Sequence, residues 1–220
     1  MNMAEIQKAR FNMVEQQVRP WNVSDEAILA LLLSVPRDAF VPAGQEGIAF
    51  ADLEIPTAGG QVMLAPKVAA KLVQELRLQK TDRVLEIGTG TGYMTALIAN
   101  LAERVVSLEL DPELVATAQA NLAKLGIRNA TIRQDDGAKG APVEGPFDAI
   151  VLGGSVAEVP AALMDQLKPG GRLVAIVGDE PVMRCEITTR TGANSFTKAT
   201  PWDCNAPRLQ NFPTPSRFRF

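Results

Sequence analysis

The chain contains no histidine, and this absence removes a large group of enzyme mechanisms. A Ser-His-Asp triad, a Cys-His nucleophile pair and a facial triad of metal ligands all need an imidazole. The two cysteines, Cys185 and Cys204, form no C-x-x-C pair and have no histidine partner, which argues against a zinc site. Free cysteines fit a reducing cytosol. We therefore expect a cytoplasmic chain that holds no metal.

Long apolar runs and an excess of basic residues are missing as well. The longest apolar run covers residues 27–33, far short of the roughly 20 residues that cross a bilayer. Lysine and arginine number 22 against 25 acidic residues, for a net charge of −3. Nucleic-acid binding normally needs a basic face. We expect no membrane span, no nucleic-acid partner, and a globular chain that needs no disulfide to fold.

The hydrophobic pattern changes near residue 80, from helices and loops to alternating strands and helices. Before this point we expect helices at 3–18, 27–35 and 66–76, with a loop region at 40–66 that packs on another part of the chain. After it we expect strands at 83–87, 105–109, 130–134, 148–152 and 172–177, and helices at 93–101, 112–125 and 156–167. Two further strands, at 184–190 and 216–220, are expected to be antiparallel partners. The alternation is typical of βα units that form a parallel sheet.

A glycine-rich turn between a strand and a helix is the most informative segment. Residues 84–93 read V-L-E-I-G-T-G-T-G-Y. Glycines there let the backbone turn sharply and lie against a ligand, and a nucleotide-type cofactor is the natural occupant. A dinucleotide site wants G-x-G-x-x-G, whereas Tyr93 stands at the third glycine position. Glu86 also brings a carboxylate that would repel a pyrophosphate and attract a cationic methionine moiety.

Acidic residues follow the next two strands. Glu109 ends the second predicted strand, where it can accept hydrogen bonds from both hydroxyls of a ribose. Asp135, Asp136 and Gly137 follow the third strand, where a carboxylate or the backbone can reach the exocyclic amine of an adenine. These signals lie at the carboxyl ends of successive strands, the edge at which open α/β sheets bind ligands.

These residues carry a family resemblance. Residues 86–93 resemble motif I of class I S-adenosylmethionine-dependent methyltransferases, in a form close to that of the protein-L-isoaspartate O-methyltransferase family. Further matches to this family span about residues 13–178. They are V-P-R-D-A-F-V-P at 35–42, A-F-A-D at 49–52, I-P and G-Q at 55–56 and 60–61, D-G at 136–137, F-D-A-I at 147–150 and L-K-P-G-G at 167–171. The combination of V-P-R-x-x-F-V-P with motif I is specific to the family.

The resemblance implies an α/β, Rossmann-like class I methyltransferase fold. It has a mostly parallel seven-stranded sheet with helices on both faces and an N-terminal helical and loop extension. We expect residues 1–79 to form a helical and substrate-loop region packed on the core, and residues 80–220 to form the S-adenosylmethionine-binding domain. The implied cofactor is S-adenosyl-L-methionine. Its expected binding residues are Glu86, Gly88, Thr89, Gly90, Gly92, Glu109, Leu110, Asp136 and Gly137.

The implied activity is transfer of a methyl group to a carboxylate of damaged aspartyl residues. A carboxylate is already a nucleophile at neutral pH, so no general base is needed, which agrees with a chain that lacks histidine. The family's substrate loop resembles T-I-S-x-P, with a hydroxyl group close to the transferred methyl. In this sequence the loop comprises Gln61, Val62, Met63 and Leu64. Leu64 occupies the serine position and Val62 the threonine position. Because two polar groups have become aliphatic, the catalytic residue stays unassigned.

Three functions stay open at this point. The first is methylation of isoaspartyl residues in proteins or peptides, and the second is methylation of a less polar acceptor, such as a small molecule, by the same fold. The third is a cofactor-binding module without catalysis. A dehydrogenase is a distant fourth, against which Tyr93 argues. The residues 200–220 could cover the acceptor site, pack on a second subunit in a homodimer, or form an irregular connector before an edge strand.

Overall fold

Short helices and strands alternate along the chain in a computed structural model, which describes residues 2–214. The α-helices are α1 (Met3–Met13), α2 (Glu26–Ser34), α3 (Pro66–Leu76), α4 (Tyr93–Ala99), α5 (Pro112–Lys124) and α6 (Ala161–Met164). The strands are β1 (Ile55–Pro56), β2 (Val62–Met63), β3 (Arg83–Ile87), β4 (Arg104–Glu109), β5 (Ala130–Gln134), β6 (Phe147–Val156), β7 (Leu167–Asp179), β8 (Val182–Arg190) and β9 (Phe196–Asp203). A π-helix, Val14–Val18, continues α1. Short 3-10 helices cover Arg19–Trp21, Arg37–Ala39, Glu46–Ile48, Ala58–Gly60 and Gly137–Lys139.

Local capping chemistry explains where the predicted helices begin. The side chain of Asp25 accepts hydrogen bonds from the first N–H groups of α2. Asp111 caps α5 in the same way, and Pro112 occupies the first helical turn, where its missing N–H costs nothing. Pro66 begins α3, whose apolar side chains are buried. These starts agree with the sequence predictions for the three helices.

Strands β3 to β9 form one sheet in the order β5-β4-β3-β6-β7-β8-β9. The first five of these neighbours are parallel to one another, and β8 and β9 are antiparallel additions next to β7. The chain builds outward from β3 toward β5 and then returns to the other side of β3 with β6. This reversal marks the point at which an α/β sheet opens a crevice at the carboxyl ends of its strands. The predicted mostly parallel, seven-stranded α/β fold is confirmed.

The helix predicted at 156–167 is wrong over most of its length. Strand β6 extends to Val156, and only Ala161–Met164 is helical in this segment. Two features account for the difference. The N–H of Ser155 donates to the carbonyl of Pro207 at 2.7 Å, and the N–H of Leu209 donates to the carbonyl of Ser155 at 2.9 Å, which holds the end of β6 extended. Pro160 has an extended backbone directly before α6, since a proline inside a helical pattern interrupts the helix.

An antiparallel strand that was not predicted, β9, lies next to β8. The strand expected at 216–220 lies outside the described residues. In the described part, β9 pairs with β8 and ends at Asp203, so residues 200–203 are strand rather than irregular connector. After β9 the chain crosses the carboxyl ends of the central strands, as the bonds to Ser155 show.

The N-terminal region and the sheet share buried apolar contacts. One cluster of buried side chains extends from Met13 in the first helix through Phe40 and Leu72 to Val174 in β7. The division of the chain at residue 79 therefore stays a prediction. Within residues 2–214, no helix combines the length and hydropathy needed to cross a membrane.

Candidate functional site

A crevice lies at the carboxyl ends of β3, β4 and β5. It is a cavity of about 380 Å³, within the usual range for small-molecule sites. Predicted residues line it in a group: Gly88, Gly90, Glu109, Leu110, Asp136 and Gly137 from the cofactor set, and Gln61 and Val62 from the substrate loop. We call this the large cavity. The structure thus brings together two sets of residues that the sequence places about 30 to 70 positions apart.

The glycine turn after β3 forms one wall of the large cavity. Gly88 has a φ of +87°, a backbone conformation that residues other than glycine rarely adopt. Its N–H donates to the carbonyl of Leu108 at 2.8 Å, which ties the turn to β4. The turn then leads into α4 at Tyr93. A ligand can therefore approach the backbone closely at this point.

Glu109 lies opposite the turn and is held by backbone donors. One carboxylate oxygen accepts from the N–H of Gly90 at 2.8 Å. The other accepts from Leu110 at 2.8 Å and from Asp111 at 3.1 Å. The residue is 8% exposed, and it lines the large cavity. A carboxylate fixed in this way still has lone-pair directions for hydroxyl donors of a ligand.

Asp136 and Gly137 close the far end of the large cavity. Asp136 caps the short 3-10 helix Gly137–Lys139 by accepting from the N–H of Ala138. Its second carboxylate oxygen accepts from the side-chain amide of Asn211 at 3.1 Å. The acid is therefore oriented both by its own turn and by the C-terminal segment.

Glu86 lies beneath the glycine turn and not in a cavity wall. It is fully buried, and one carboxylate oxygen accepts from the hydroxyls of Thr95 and Ser107. The other oxygen has no hydrogen-bond partner among the described residues. Burial raises the pKa of Glu86 to about 7; the two hydroxyl donors oppose this effect, and the charge of Glu109 adds to it. Gly92 likewise lines neither of the two cavities described here.

The substrate loop borders a second, much smaller cavity of about 40 Å³. We call it the small cavity. It adjoins the large cavity, since Val62, Gly88, Gly90 and Gly153 line both. Its other lining residues are Arg37, Met63, Leu64, Ala69, Thr89, Thr91, Tyr93 and Met94. The predicted cofactor residue Thr89 and the predicted loop residues Met63 and Leu64 therefore meet here.

The C-terminal segment, for which coverage of the acceptor site was one of three open alternatives, contributes lining residues that the sequence did not single out. Leu209, Gln210 and Phe212 line the large cavity. Ser155 anchors this segment, because its hydroxyl donates to the carbonyl of Ala206 at 2.7 Å in addition to the backbone pairing described above. The available signal was the run of small residues at 153–155, which leaves room for a crossing chain.

The charges around the large cavity fit a cationic ligand better than a pyrophosphate. Its ionisable lining residues are Glu109, Asp111, Asp135 and Asp136, and no lysine or arginine of residues 2–214 lines it. Four carboxylates would repel phosphate groups and attract the sulfonium and ammonium groups of S-adenosylmethionine. The four carboxylates and the cavity volume thus fit this cofactor, and the carboxylates argue against a dinucleotide.

Comparison with known sequences gives a family match. Residues 8–201 match the model of the family described as protein-L-isoaspartate(D-aspartate) O-methyltransferase. A protein-L-isoaspartate O-methyltransferase of Methanoculleus marisnigri is 43% identical over 171 residues, which is 78% of each chain. One of Rhodopseudomonas palustris is 40% identical over 185 residues, covering 84% of this chain and 85% of that protein.

Solved structures show the same fold. A Plasmodium falciparum protein described as a protein-L-isoaspartate O-methyltransferase, in complex with S-adenosyl-L-homocysteine, aligns with a TM-score of 0.78 at 22% identity. The alignment covers 93% of this chain and 98% of that one. A second protein-L-isoaspartate O-methyltransferase aligns with a TM-score of 0.80 at 25% identity, over 92% of this chain and 66% of that one.

Proposed function

The chain belongs to the protein-L-isoaspartate(D-aspartate) O-methyltransferase family, and on this premise we propose that it methylates the free carboxylate of isoaspartyl residues in proteins or peptides. It is an S-adenosylmethionine-dependent O-methyltransferase. The observation that supports the proposed substrate is that the glycine turn and the substrate loop meet at the small cavity, next to the large one. A methyl donor and an acceptor carboxylate can therefore lie side by side.

The proposed mechanism asks the chain to orient two reactants and exclude water. When bound, S-adenosylmethionine supplies a methyl group on a positively charged sulfur. Glu109 would hold the ribose hydroxyls, and Gly88 and Gly90 would allow the methionine part to lie against the backbone. Val62 and Leu64 shield the acceptor from water. The acceptor carboxylate needs no base, so no residue has to remove a proton.

Glu109→Ala is expected to weaken binding of S-adenosylmethionine by about 1–3 kcal/mol, or roughly 5- to 150-fold in Kd. The substitution removes the acceptor of the ribose hydroxyls and frees the N–H of Gly90. Isothermal titration calorimetry measures the effect. Glu113→Ala, an exposed position in the first turn of α5, is the matched control and should leave the Kd unchanged. Equal affinity in the Glu109 variant would mean that the ribose lies elsewhere.

A second candidate, methylation of a less polar acceptor, is favoured by one observation. Leu64 is 9% exposed and, together with Val62, gives the small cavity an aliphatic wall. Such a wall suits an apolar acceptor as well as a shielded carboxylate. The two candidates share the fold and the cofactor and differ in the acceptor alone.

Leu64→Ser separates the two candidates. Under the proposed function, wild-type enzyme methylates an isoaspartyl peptide, and the variant changes kcat/KM by less than about tenfold, because the loop hydroxyl is not required. The variant is also expected to lose about 2–3 kcal/mol of stability, since a buried aliphatic side chain is removed. Activity that is present in the serine variant and absent in wild type would favour the second candidate.

The direct test of the proposal is transfer of labelled methyl from S-adenosylmethionine to an isoaspartyl peptide and to its aspartyl twin. The proposal expects label in the isoaspartyl peptide alone. Binding of the cofactor without transfer to either peptide would reject the proposed substrate. A cytoplasmic location, assembly as a homodimer and the full set of cofactor-binding residues stay predictions.

A further inference from the structure

Arg37 is a completely buried arginine that forms no ion pair with an acidic side chain of residues 2–214. Its Nε donates to the carbonyl of Ala49 at 2.8 Å, and one terminal nitrogen donates to the carbonyl of Leu64 at 2.7 Å. The other terminal nitrogen, Nη1, is buried without a hydrogen-bond partner among the described residues. None of the ion pairs within residues 2–214 includes Arg37. Buried charges are costly unless an opposite charge and hydrogen bonds compensate them.

A second unsatisfied donor lies beside this guanidinium. The central carbon of the Arg37 guanidinium lies 4.9 Å from the ring centre of Tyr93. The hydroxyl of Tyr93 is also buried and forms no hydrogen bond of regular geometry in the described part of the chain, although its oxygen lies close to the Arg37 guanidinium. Burial raises the pKa of Tyr93, and the charges of Arg37 and Arg10, together with the polar contact from Arg37 to the hydroxyl oxygen, oppose this effect in part. The hydroxyl is therefore protonated at neutral pH and able to donate.

Both residues line the small cavity, next to the substrate loop. Its volume of about 40 Å³ suits a group the size of a carboxylate or a water molecule. Because it shares Gly88 and Gly90 with the large cavity, a group bound here would lie next to the bound cofactor. The cavity thus combines an aliphatic wall with a buried positive charge that has no ion-pair partner in the described part of the chain.

We infer that the small cavity is the binding site of the acceptor carboxylate, and that Nη1 of Arg37 donates to it, assisted by the hydroxyl of Tyr93. The inference rests on the proposed function and identifies the group that recognises the substrate. The reactant carboxylate is negative, and its methyl ester is neutral. A guanidinium therefore binds the reactant more strongly than the product, which favours release of the ester.

Loss of the Arg37 charge should affect the KM for the peptide and the kcat of methyl transfer differently. The negative charge of the acceptor declines as its oxygen bonds to the methyl carbon, so Arg37 stabilises the bound substrate more than the transition state. Removing the charge should raise the KM for the peptide and leave kcat unchanged or slightly higher, because the bound substrate loses more stabilisation than the transition state. A residue that merely positions the loop through the carbonyl of Leu64 would lower kcat instead.

The first test uses wild-type enzyme saturated with S-adenosylhomocysteine, so it does not depend on the folding of a variant. Calorimetry compares an isoaspartyl peptide with its counterpart in which the free α-carboxylate is an amide. We expect the carboxylate to bind at least roughly tenfold more tightly. Equal affinities would overturn the inference, whether or not the enzyme methylates the peptide.

The second test uses variants. Arg37→Gln is expected to raise the KM for the isoaspartyl peptide by roughly 10- to 100-fold, to change kcat by less than about threefold, and to leave the Kd of S-adenosylhomocysteine unchanged. Tyr93→Phe keeps the charge and should raise KM less. Arg104→Gln, at an exposed arginine that begins β4, is the control. A fall in kcat at unchanged KM would overturn the inference.

Formate and formamide separate a failure of the inference from a failure of the proposed function. These probes have nearly the same size and differ in charge. If no isoaspartyl peptide is methylated, yet formate and not formamide binds in an Arg37-dependent way, the carboxylate site stands and the proposed substrate is wrong. The opposite case is also distinguishable. If the isoaspartyl peptide is methylated, the amide peptide binds as tightly as the carboxylate peptide, and Arg37→Gln has the KM of wild type, then the function stands and the inference fails.

Discussion

Gly153→Ala is expected to lower the free energy of unfolding by about 2–3 kcal/mol and to weaken S-adenosylhomocysteine binding by roughly tenfold or more. Gly153 belongs to β6 and lines both cavities. A β-carbon there would lie 2.5 Å from the carbonyl oxygen of Gly88 and 3.3 Å from that of Ile87. Because these neighbours are backbone atoms, the strain is relieved only if the glycine turn moves away from β6. Such a movement would displace the cofactor wall.

Gly47→Ala is the matched control for this prediction. Gly47 lies in the short 3-10 helix Glu46–Ile48, and a β-carbon added to it would meet no atom within 4 Å. We expect its free energy of unfolding to change by less than about 0.5 kcal/mol. Urea denaturation and calorimetry measure both variants. If Gly153→Ala and Gly47→Ala have the same free energy of unfolding and the same Kd for S-adenosylhomocysteine, then the glycine turn does not lie as close to β6 as described.

Glu86→Gln is expected to remove the loss of folding stability that the wild-type protein shows as pH rises from 4.5 to about 7. Burial raises the pKa of Glu86 from 4.5 to about 7 in the folded chain, so between these values the folded state keeps a proton that the unfolded state has released. Stability therefore falls as pH rises through this window, and above pH 7 the full cost, about 3 kcal/mol, is present. Glutamine has no charge to bury and avoids this cost.

The comparison of two pH values isolates the effect. Relative to wild type, Glu86→Gln should be more stable at pH 8 than at pH 4.5 by an amount on the order of 3 kcal/mol. Costs that do not depend on pH, such as an amide N–H without an acceptor, cancel between the two measurements. Glu103→Gln, at an exposed position, provides the control. A difference between Glu86→Gln and wild type that is the same at both pH values would contradict the account.

Local sequence determined the parts of the site that lie in one continuous segment. Gly88 and Gly90 follow a strand directly, and Glu109 ends the next one, so strand periodicity and the turn residues sufficed to predict that they face one another. Parallel strands bring their carboxyl ends to one edge of the sheet. The predicted ligand site followed from this rule.

Contacts between distant segments were not predictable in the same way. The helix expected at 156–167 failed partly because Ser155, near the end of β6, pairs with residues 207–209, which no local pattern indicates, and partly because Pro160 interrupts the helical pattern. The sequence left open whether residues 200–220 cover the acceptor site, and only the fold shows that Phe212 lines the large cavity. The role of Arg37 depends on carbonyl groups of Ala49 and Leu64, so its burial could not be read from the motif that contains it.

Glu86 illustrates a different limit. The sequence placed its carboxylate at the turn, where it was expected to bind the cofactor. The fold turns it toward the hydroxyls of Thr95 and Ser107 beneath the cavity wall. Side chains alternate between the two faces of a sheet. When both faces are buried, the sequence does not reveal whether a given side chain points toward the crevice at the strand ends or into the core.

The most direct measurement of the central claim is a crystal structure of the enzyme with S-adenosylhomocysteine and an isoaspartyl peptide. The account predicts the ribose hydroxyls at hydrogen-bond distance from Glu109, the sulfur beside the glycine turn, and the peptide carboxylate against Nη1 of Arg37. A ligand bound outside the large cavity, or a carboxylate that does not enter the small one, would contradict it.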